Sequence, residues 1–210
     1  MALFITFEGG EGSGKTFQSK ALYRKLKQLD IPVLLTHEPG GTPLGRKISY
    51  WLKWAGAIPS LTELLLFNAS RALLVEQIIQ PALKEGKTVI CDRYTDSTVA
   101  YQGYGRGLEL DTVKSLNRTA TRGLRPNITI FLDIPVEEGL ARKKSERQDR
   151  FQQEKIAFHD RVREGYLKMA AEEPDRWLVI DASQSKEKIE EIIWTKISRM
   201  LELSNSTSHH

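Results

Sequence analysis

A glycine-rich segment near the start of the chain carries residues suited to binding a phosphorylated nucleotide. It matches the pattern G-x-x-x-x-G-K-[ST] and reads Gly9-Gly10-Glu11-Gly12-Ser13-Gly14-Lys15-Thr16. Glycines let successive backbone N–H groups turn toward one anion, and a following helix adds its positive N-terminal end. Lys15 can reach the β- and γ-phosphates, and the Thr16 hydroxyl is a candidate Mg²⁺ ligand. The segment therefore predicts a nucleoside triphosphate site.

Acidic residues at strand ends are further candidates for chemistry. Asp92, Asp133 and Asp181 each follow an apolar run, where an α/β sheet presents polar side chains to a ligand. Asp92 is the strongest candidate for a second Mg²⁺ ligand, because Arg93 follows it and a guanidinium binds phosphate oxygens in pairs. For Asp133 and Asp181 we favour a structural role such as helix capping.

The elements that must position these residues follow from the hydrophobic pattern. Apolar runs of strand length occur at 3–8, 32–37, 87–92, 128–134 and 176–181. Segments with helical periodicity occur at 16–29, 60–84, 108–122 and 186–203. This alternation predicts an α/β fold in which helices cover both faces of a parallel sheet. The capping-box pattern Ser60-Leu61-Thr62-Glu63 predicts a helix start near Ser60, and Pro81 is expected near the end of that helix or at a kink.

Composition restricts the class of protein. A chain of 210 residues with 40% hydrophobic content suits one domain, expected over 1–203, followed by a polar and disordered tail at 204–210. The apolar runs are too short to span a bilayer, and no signal peptide is evident. The single cysteine, Cys91, fits a reducing cytoplasm. The net charge of +4 is spread along the chain, which favours small phosphorylated ligands over nucleic acid.

A phosphate-binding loop alone does not identify the reaction, because kinases, ATPases and GTPases all use one. The guanine-reading pattern N-K-x-D is absent from the sequence, so adenine is the favoured base of the donor. Phe67 and Arg71 lie four residues apart on the predicted helix 60–84. They therefore share one face and can present an aromatic ring beside a planar set of N–H donors.

Four motifs that follow the glycine-rich loop resemble those of a known family. In order they are Glu38-Pro39-Gly40-Gly41-Thr42, Phe67-Asn68-Ala69-Ser70-Arg71, Asp92-Arg93-Tyr94 and Ser97-Thr98-Val99-Ala100-Tyr101-Gln102-Gly103. With the glycine-rich loop they closely resemble the bacterial thymidylate kinases, from residue 3 to about residue 200. The resemblance implies a three-layer P-loop NTPase fold, with a five-stranded parallel sheet, flanking helices and a short lid. It also implies transfer of the γ-phosphate of ATP to dTMP, with Mg²⁺, by a homodimer that uses helices 60–84 and 108–122.

The resemblance assigns roles to individual residues. Phe67 would stack on thymine, Arg71 would bind its carbonyl edge, Arg93 would bind the acceptor phosphate and Glu11 the sugar 3′-hydroxyl. The full implied dTMP set is Glu11, Glu38, Pro39, Phe67, Arg71, Arg93, Ser97, Tyr101 and Gln102. The implied ATP set is Gly9, Gly10, Glu11, Gly12, Ser13, Gly14, Lys15, Thr16, Arg142 and Ala182, with Thr16 and Asp92 at the metal.

The highly charged segment 142–154 matches the lid of these kinases. A closing lid that carries arginine excludes water and stabilises charge at the transferred phosphoryl group. The resemblance implies that Arg142 packs on adenine and that Arg150 reaches the phosphates, with Arg147 as a second candidate. The expected catalytic residues are therefore Lys15, Arg93, Arg150 and Arg147.

The chain also departs from the family pattern. His37 stands where arginine is common, and the arginine usual near Ser49 is missing unless Arg46 replaces it. His37 and His159 are expected to have no chemical role. Three other functions stay open at this point: a kinase for another nucleoside monophosphate, a regulatory P-loop ATPase that needs no small acceptor, and a nucleic-acid-binding ATPase, which would need basic residues clustered on one face.

Overall fold

The computed structural model describes residues 2–143 and 149–206 and has a five-stranded parallel sheet at its centre. The strands are β1 Phe4–Glu8, β2 Val33–His37, β3 Thr88–Asp92, β4 Ile128–Asp133 and β5 Trp177–Asp181. Their order in the sheet is β2-β3-β1-β4-β5. Since β1 lies between β3 and β4, the glycine-rich loop that follows it opens at the middle of the carboxyl edge. The predicted sheet is confirmed, and each strand falls within its apolar run.

Helices cover the sheet. They are α1 Lys15–Gln28, α2 Pro43–Trp54, α3 Ser60–Leu74, α4 Gln80–Lys84, α5 Thr95–Thr98, α6 Leu110–Thr121, α7 Val136–Lys143, α8 Ile156–Glu172 and α9 Lys186–Ser206. A π-helical stretch, Val75–Ile79, joins α3 to α4, and a second, Val99–Gly105, follows α5. The four predicted helical segments correspond to α1, to α3 through α4, to α6 and to α9. Helix α9 runs to Ser206, beyond the expected boundary at 203.

The core explains why the helices lie on both faces. Alternate residues of β1 point to opposite sides: Ile5 packs with α1 and α9, whereas Phe4 packs with the α3 to α4 region. A third cluster joins Phe131 of β4 to α3, α6 and α8. Because both faces are buried, the strands read as continuous apolar runs, which is the pattern of a central parallel strand.

Helix α3 begins at Ser60 as predicted, but the capping box does not form. Pro59 occupies the N-cap position and no side chain caps the helix. Glu63, which the pattern predicts as the reciprocal cap, is instead fully buried beneath the helix. Pro81 lies in the first turn of α4, close to the end of the continuous helical segment as expected.

Four helices near the site fall outside the predicted helical segments: α2, α5, α7 and α8. Helix α2 begins at Pro43 and is capped by Thr42, whose hydroxyl accepts a hydrogen bond from the Gly45 N–H at 3.0 Å. Threonine followed by proline is a typical helix start, so the signal was present in the sequence. Helix α8 packs against the π-helical stretch Val99–Gly105 and holds one wall of the site.

Candidate active site

The glycine-rich loop joins β1 to the N-terminus of α1, the position that the sequence predicts. Gly14 precedes the helix with a φ of 90°, in the left-handed region that glycine adopts without strain. Lys15 is buried, and its Nζ donates to the Gly10 carbonyl at 2.6 Å and to the Ser13 hydroxyl at 3.2 Å. Burial and the nearby Arg93 lower the pKa of Lys15 to about 8. The ammonium therefore sits inside the curve of the loop, where nucleotide phosphates would be bound.

The two predicted metal ligands lie in contact. The Thr16 hydroxyl donates to Oδ2 of Asp92 at 2.5 Å, across the space between α1 and the end of β3. A hydroxyl and a carboxylate oxygen fit Mg²⁺, which binds hard oxygen ligands and keeps several of its waters. The pair can hold a cation directly or through water while phosphate oxygens supply the remaining ligands.

Arg93 occupies the centre of the site. It follows β3 in a left-handed conformation with a φ of 71°, which is strained for a residue with a β-carbon. Its guanidinium donates to the Gly9 carbonyl at 3.2 Å, to Glu11 Oε1 at 3.0 Å and to the Tyr101 hydroxyl at 3.2 Å. One side chain thus connects the glycine-rich loop with the wall of the neighbouring cavity.

Glu8, at the end of β1, holds the backbone that follows Arg93. Its Oε1 accepts from the N–H groups of Tyr94 at 2.8 Å and Ser97 at 3.2 Å. Its Oε2 accepts from the Ser97 hydroxyl at 2.5 Å and the Tyr166 hydroxyl at 2.8 Å. These bonds hold the turn after the strained residue, so Glu8 keeps the Arg93 side chain aimed into the site. Glu8 is an acidic residue at the end of a strand, as Asp92 is. The same sequence feature that made Asp92 a candidate site residue would therefore have identified Glu8.

The buried state of Glu8 predicts a pH dependence of stability. Burial, together with the charge of Asp96, raises the pKa of Glu8 from 4.5 to about 7. The folded state therefore holds this proton more tightly than the unfolded state, and the contribution of Glu8 to stability falls as pH rises from 4.5 to 7. We expect the free energy of unfolding of Glu8→Gln, relative to the unsubstituted protein, to increase between pH 5 and pH 8.

Urea unfolding at both pH values measures this difference, with Glu187→Gln at an exposed site as the control for loss of one carboxylate. A difference that stays constant, or that decreases with pH, would contradict the assignment.

Glu11 lies at the border between the loop and the cavity. Burial alone would raise its pKa, but Arg93 and Lys15 lower the pKa of Glu11 to about 2. Its Oε1 also accepts from the Tyr101 hydroxyl at 3.1 Å. The carboxylate is therefore ionised at neutral pH and is positioned to accept a hydrogen bond from a hydroxyl of a bound ligand.

A cavity beside Arg93 brings together every residue of the implied dTMP set. Its described lining includes Glu11, Glu38, Pro39, Lys53, Phe67, Arg71, Arg93, Tyr94, Ser97, Thr98, Tyr101, Gln102, Asp149 and Phe151. The lining includes residues of the glycine-rich loop, α3 and the turn after β3, which are far apart in sequence. It contains the aromatic ring of Phe67 and the guanidinium of Arg93, which are the kinds of group that bind a base and a phosphate.

Arg71 is held rigidly in the wall of this cavity. It is 1% exposed. Its Nε donates to Glu38 Oε2 at 2.7 Å, its Nη1 to Asn117 Oδ1 at 2.6 Å and its Nη2 to the Tyr94 carbonyl at 3.1 Å. Burial raises the pKa of Glu38, although Arg71 opposes the shift. These partners fix the guanidinium plane at the pocket wall.

Arg142 lies between the loop and the residue that follows β5. The Arg142 guanidinium donates to the Ala182 carbonyl at 3.2 Å and pairs with Glu138 at 2.6 Å. Gly12 and Gly139 let the loop and α7 meet closely: a β-carbon on Gly12 would lie 2.0 Å from the Gly139 carbonyl oxygen. The structure therefore brings the predicted Arg142 and Ala182 together against the phosphate-binding loop.

Arg150 is not placed at the loop in this structure. Its guanidinium pairs with Glu63 Oε2 at 2.5 Å and donates to the Leu52 carbonyl at the end of α2. Contact with the phosphates would require Arg150 to leave these partners, so its catalytic role stays a prediction. Arg147 lies outside the described residues.

The remaining candidates have structural partners. Arg163 binds both oxygens of Asp133, at 2.7 and 2.9 Å. Asp181 accepts from the N–H and the hydroxyl of Ser183. His159 packs its ring edge-on to Phe158, and Cys91 is buried in β3. These contacts agree with the structural roles predicted for them.

Comparison with known proteins supplies the family. The family model described as thymidylate kinase matches residues 7–193. The chain belongs to the thymidylate kinase family. It is 55% identical over 205 residues to a thymidylate kinase from Dehalococcoides mccartyi, covering 97% of this chain and 99% of that protein. It is 47% identical over 203 residues to one from Thermomicrobium roseum, covering 96% and 97%.

A solved structure supports the same family and fold. The crystal structure of thymidylate kinase from Ehrlichia chaffeensis has a TM-score of 0.73 and 38% identity, covering 85% of this chain and 92% of that chain. The family and the P-loop NTPase fold predicted from the motifs are confirmed. In the part of the chain that the structure describes, no helix has the length and apolar character needed to cross a membrane.

Proposed function

We propose that this chain is a thymidylate kinase, a phosphotransferase that moves the γ-phosphate of ATP to dTMP and yields dTDP and ADP. The observation that carries the proposal is the position of Arg93, whose guanidinium contacts both the loop at Gly9 and the cavity wall at Glu11 and Tyr101. A donor phosphate on the loop and an acceptor phosphate in the cavity would meet at this side chain. A hydrolytic ATPase has no need for such a shared cation.

The chemistry follows from the residues of the site. A phosphate dianion is already nucleophilic at neutral pH, so the site needs alignment and charge stabilisation more than a general base. Lys15 and Arg93 offset charge on the transferred group, while Glu11 orients the acceptor sugar. Mg²⁺ held near Thr16 and Asp92 would neutralise the β- and γ-phosphate oxygens of the donor. We include Arg150 as a lid cation that acts after it leaves Glu63.

The proposal is tested by ADP formation with different acceptors. ATP and Mg²⁺ are supplied with no acceptor, and then with dTMP, dUMP, UMP, dCMP, dGMP or AMP in turn. We expect strong stimulation by dTMP, weaker stimulation by dUMP and none by UMP. Equal ADP formation in every reaction would indicate an ATPase and would overturn the proposal.

We further propose a homodimer in the cytoplasm. An exposed apolar face formed by α2 and α3 supports the dimer; its members are Leu44 (53% exposed), Tyr50 (64%), Trp51 (58%), Leu61 (52%) and Leu65 (48%). Exposed apolar side chains of this kind are typical of protein interfaces. They lie on α3, within the expected segment 60–84, and on α2, whereas a contribution from the expected segment 108–122 stays a prediction. The single buried cysteine fits a reducing compartment.

The dimer predicts a specific effect of charge on this face. Leu65→Glu would place a carboxylate in the apolar centre of the interface, where its desolvation opposes association. We expect light scattering to give a mass of twice 23.9 kDa for the unsubstituted protein and 23.9 kDa for the variant. Leu29→Glu is the matched control, because Leu29 has the same 48% exposure but lies at the end of α1. Dissociation by both variants, or by neither, would contradict the proposed interface.

A further inference from the structure

Glu63 is a buried carboxylate to which the proposed reaction assigns no role beyond its ion pair with Arg150. It lies in the first turn of α3 and is 0% exposed. Arg150 pairs with its Oε2 at 2.5 Å, and Arg106 contacts both oxygens at 3.3 Å. The two guanidinium groups compensate its charge. Its Oε1 accepts one more hydrogen bond, from Nε2 of Gln102 at 2.7 Å.

This last bond fixes the orientation of the Gln102 carboxamide. An ionised carboxylate only accepts hydrogen bonds, so Gln102 must turn its NH₂ group toward Glu63. Gln102 is 1% exposed and lines the acceptor cavity. Its carbonyl oxygen is then the part of the amide that is left for a ligand. Without Glu63, either the NH₂ group or the carbonyl oxygen of Gln102 could face a ligand.

Arg71 and Gln102 together would present a defined pattern to a base beside Phe67. Both side chains line the same cavity as Phe67. A guanidinium only donates, and the oriented Gln102 carbonyl only accepts. The edge of thymine or uracil offers a carbonyl oxygen next to an N3–H, which is the complementary order. Cytosine offers an amino group next to an unprotonated N3, which reverses both partners.

We propose that Glu63 sets the base selectivity of the acceptor site by fixing the carboxamide of Gln102 with its carbonyl oxygen toward the base. Glu63 is a positioning residue, because it touches Gln102 and not the ligand. The inference rests on the proposed function and specifies how that site separates thymine from cytosine. A mispaired hydrogen bond in a buried site leaves two polar groups unsatisfied, which is why the orientation has a large effect.

The test is the substitution Glu63→Gln. The oxygen of the amide introduced at position 63 is drawn toward the guanidinium groups of Arg106 and Arg150, which leaves its NH₂ facing Gln102. Gln102 then turns its own NH₂ toward the base. Binding of dTMP, dUMP and dCMP is measured by calorimetry, and we expect the preference for dTMP over dCMP to fall by about tenfold or more. The preference for dTMP over dUMP should stay unchanged, because both bases share the same edge.

The matched control is Glu154→Gln. Glu154 pairs with Arg106 at 2.5 Å and Glu63 pairs with it at 3.3 Å, but the described contacts do not join Glu154 to Gln102. It should leave the dTMP to dCMP ratio unchanged. An equal weakening of all three nucleotides by Glu63→Gln would show a purely structural role and overturn the inference.

A second measurement does not depend on the stability of the variant. In a crystal structure of the unsubstituted protein with dTMP, we expect Gln102 to keep its bond to Glu63 and to accept from N3 of thymine. A carboxamide that has turned away from Glu63 to donate to a thymine carbonyl would overturn the inference. Failure of the proposed function looks different: the unsubstituted protein would then show no preference for dTMP at all.

Discussion

Replacement of Arg93 by alanine is expected to lower kcat/KM for dTMP by about 10³-fold or more, the range that an arginine at a transferred phosphoryl group supplies. The guanidinium links the Gly9 carbonyl to Glu11 and Tyr101, so its loss removes positive charge at the point where the two phosphates would meet. Steady-state kinetics with varied dTMP measures the effect. Because the acceptor phosphate loses a ligand, KM for dTMP should also rise.

The backbone at Arg93 requires a control. Its φ of 71° disfavours any residue with a β-carbon, and alanine keeps a cost of roughly 1 kcal/mol that glycine relieves. Arg93→Gly and Arg93→Ala should therefore be equally inactive although they differ in stability. Arg118→Ala, at an exposed position on α6, should retain full activity. Activity near that of the unsubstituted protein in either Arg93 variant would refute the role of this side chain.

Replacement of Lys15 by alanine is expected to reduce kcat by about 10²- to 10³-fold, as the loss of one stabilising group at a developing charge does in other enzymes. Lys15 is enclosed by the loop and contacts the Gly10 carbonyl and the Ser13 hydroxyl, so another cation cannot take its place. Burial and the nearby Arg93 lower the pKa of Lys15 to about 8, and the negative charge of bound phosphates would favour its protonated form. Kinetics with varied ATP measures the loss.

Lys20→Ala is the matched control for Lys15→Ala, because Lys20 lies on the same helix at an exposed position. It should leave kcat unchanged. Lys15→Arg tests geometry: the charge is kept, but a larger planar group does not fit within the loop. Full activity in Lys15→Arg would show that charge alone, and not its position, is sufficient.

The sheet could be predicted from the sequence because its three inner strands, β1, β3 and β4, are buried on both faces. Runs such as Ile128–Asp133 are continuously apolar and end in a polar residue, so their position and direction follow from composition. Helix α2 was harder to predict. Its apolar residues lie mostly on one side, with Ile48 and Leu52 buried. Tyr50 and Trp51 are nevertheless exposed, so the pattern alone does not separate the buried side chains from the exposed aromatic ones.

The site also contains some residues that the sequence could predict and others that it could not. Lys15, Thr16 and Arg93 belong to short local motifs, so spacing alone placed them correctly beside the expected elements. Glu63 could not be found because its local pattern matches a helix cap, whereas its partners Gln102 and Arg150 lie far along the chain. Long-range ion pairs leave no periodic trace in a sequence. For the same reason, nothing in the lid motif indicated that Arg150 would pair with a helix outside the lid.

The proposed function requires that the γ-phosphate of ATP passes to dTMP and not to water. ATP labelled with ³²P at the γ-position, incubated with the protein, Mg²⁺ and dTMP, tests this directly when the products are separated by chromatography. We expect the label to appear in dTDP in proportion to the ADP formed. Label recovered as inorganic phosphate, at a rate that dTMP does not change, would contradict it.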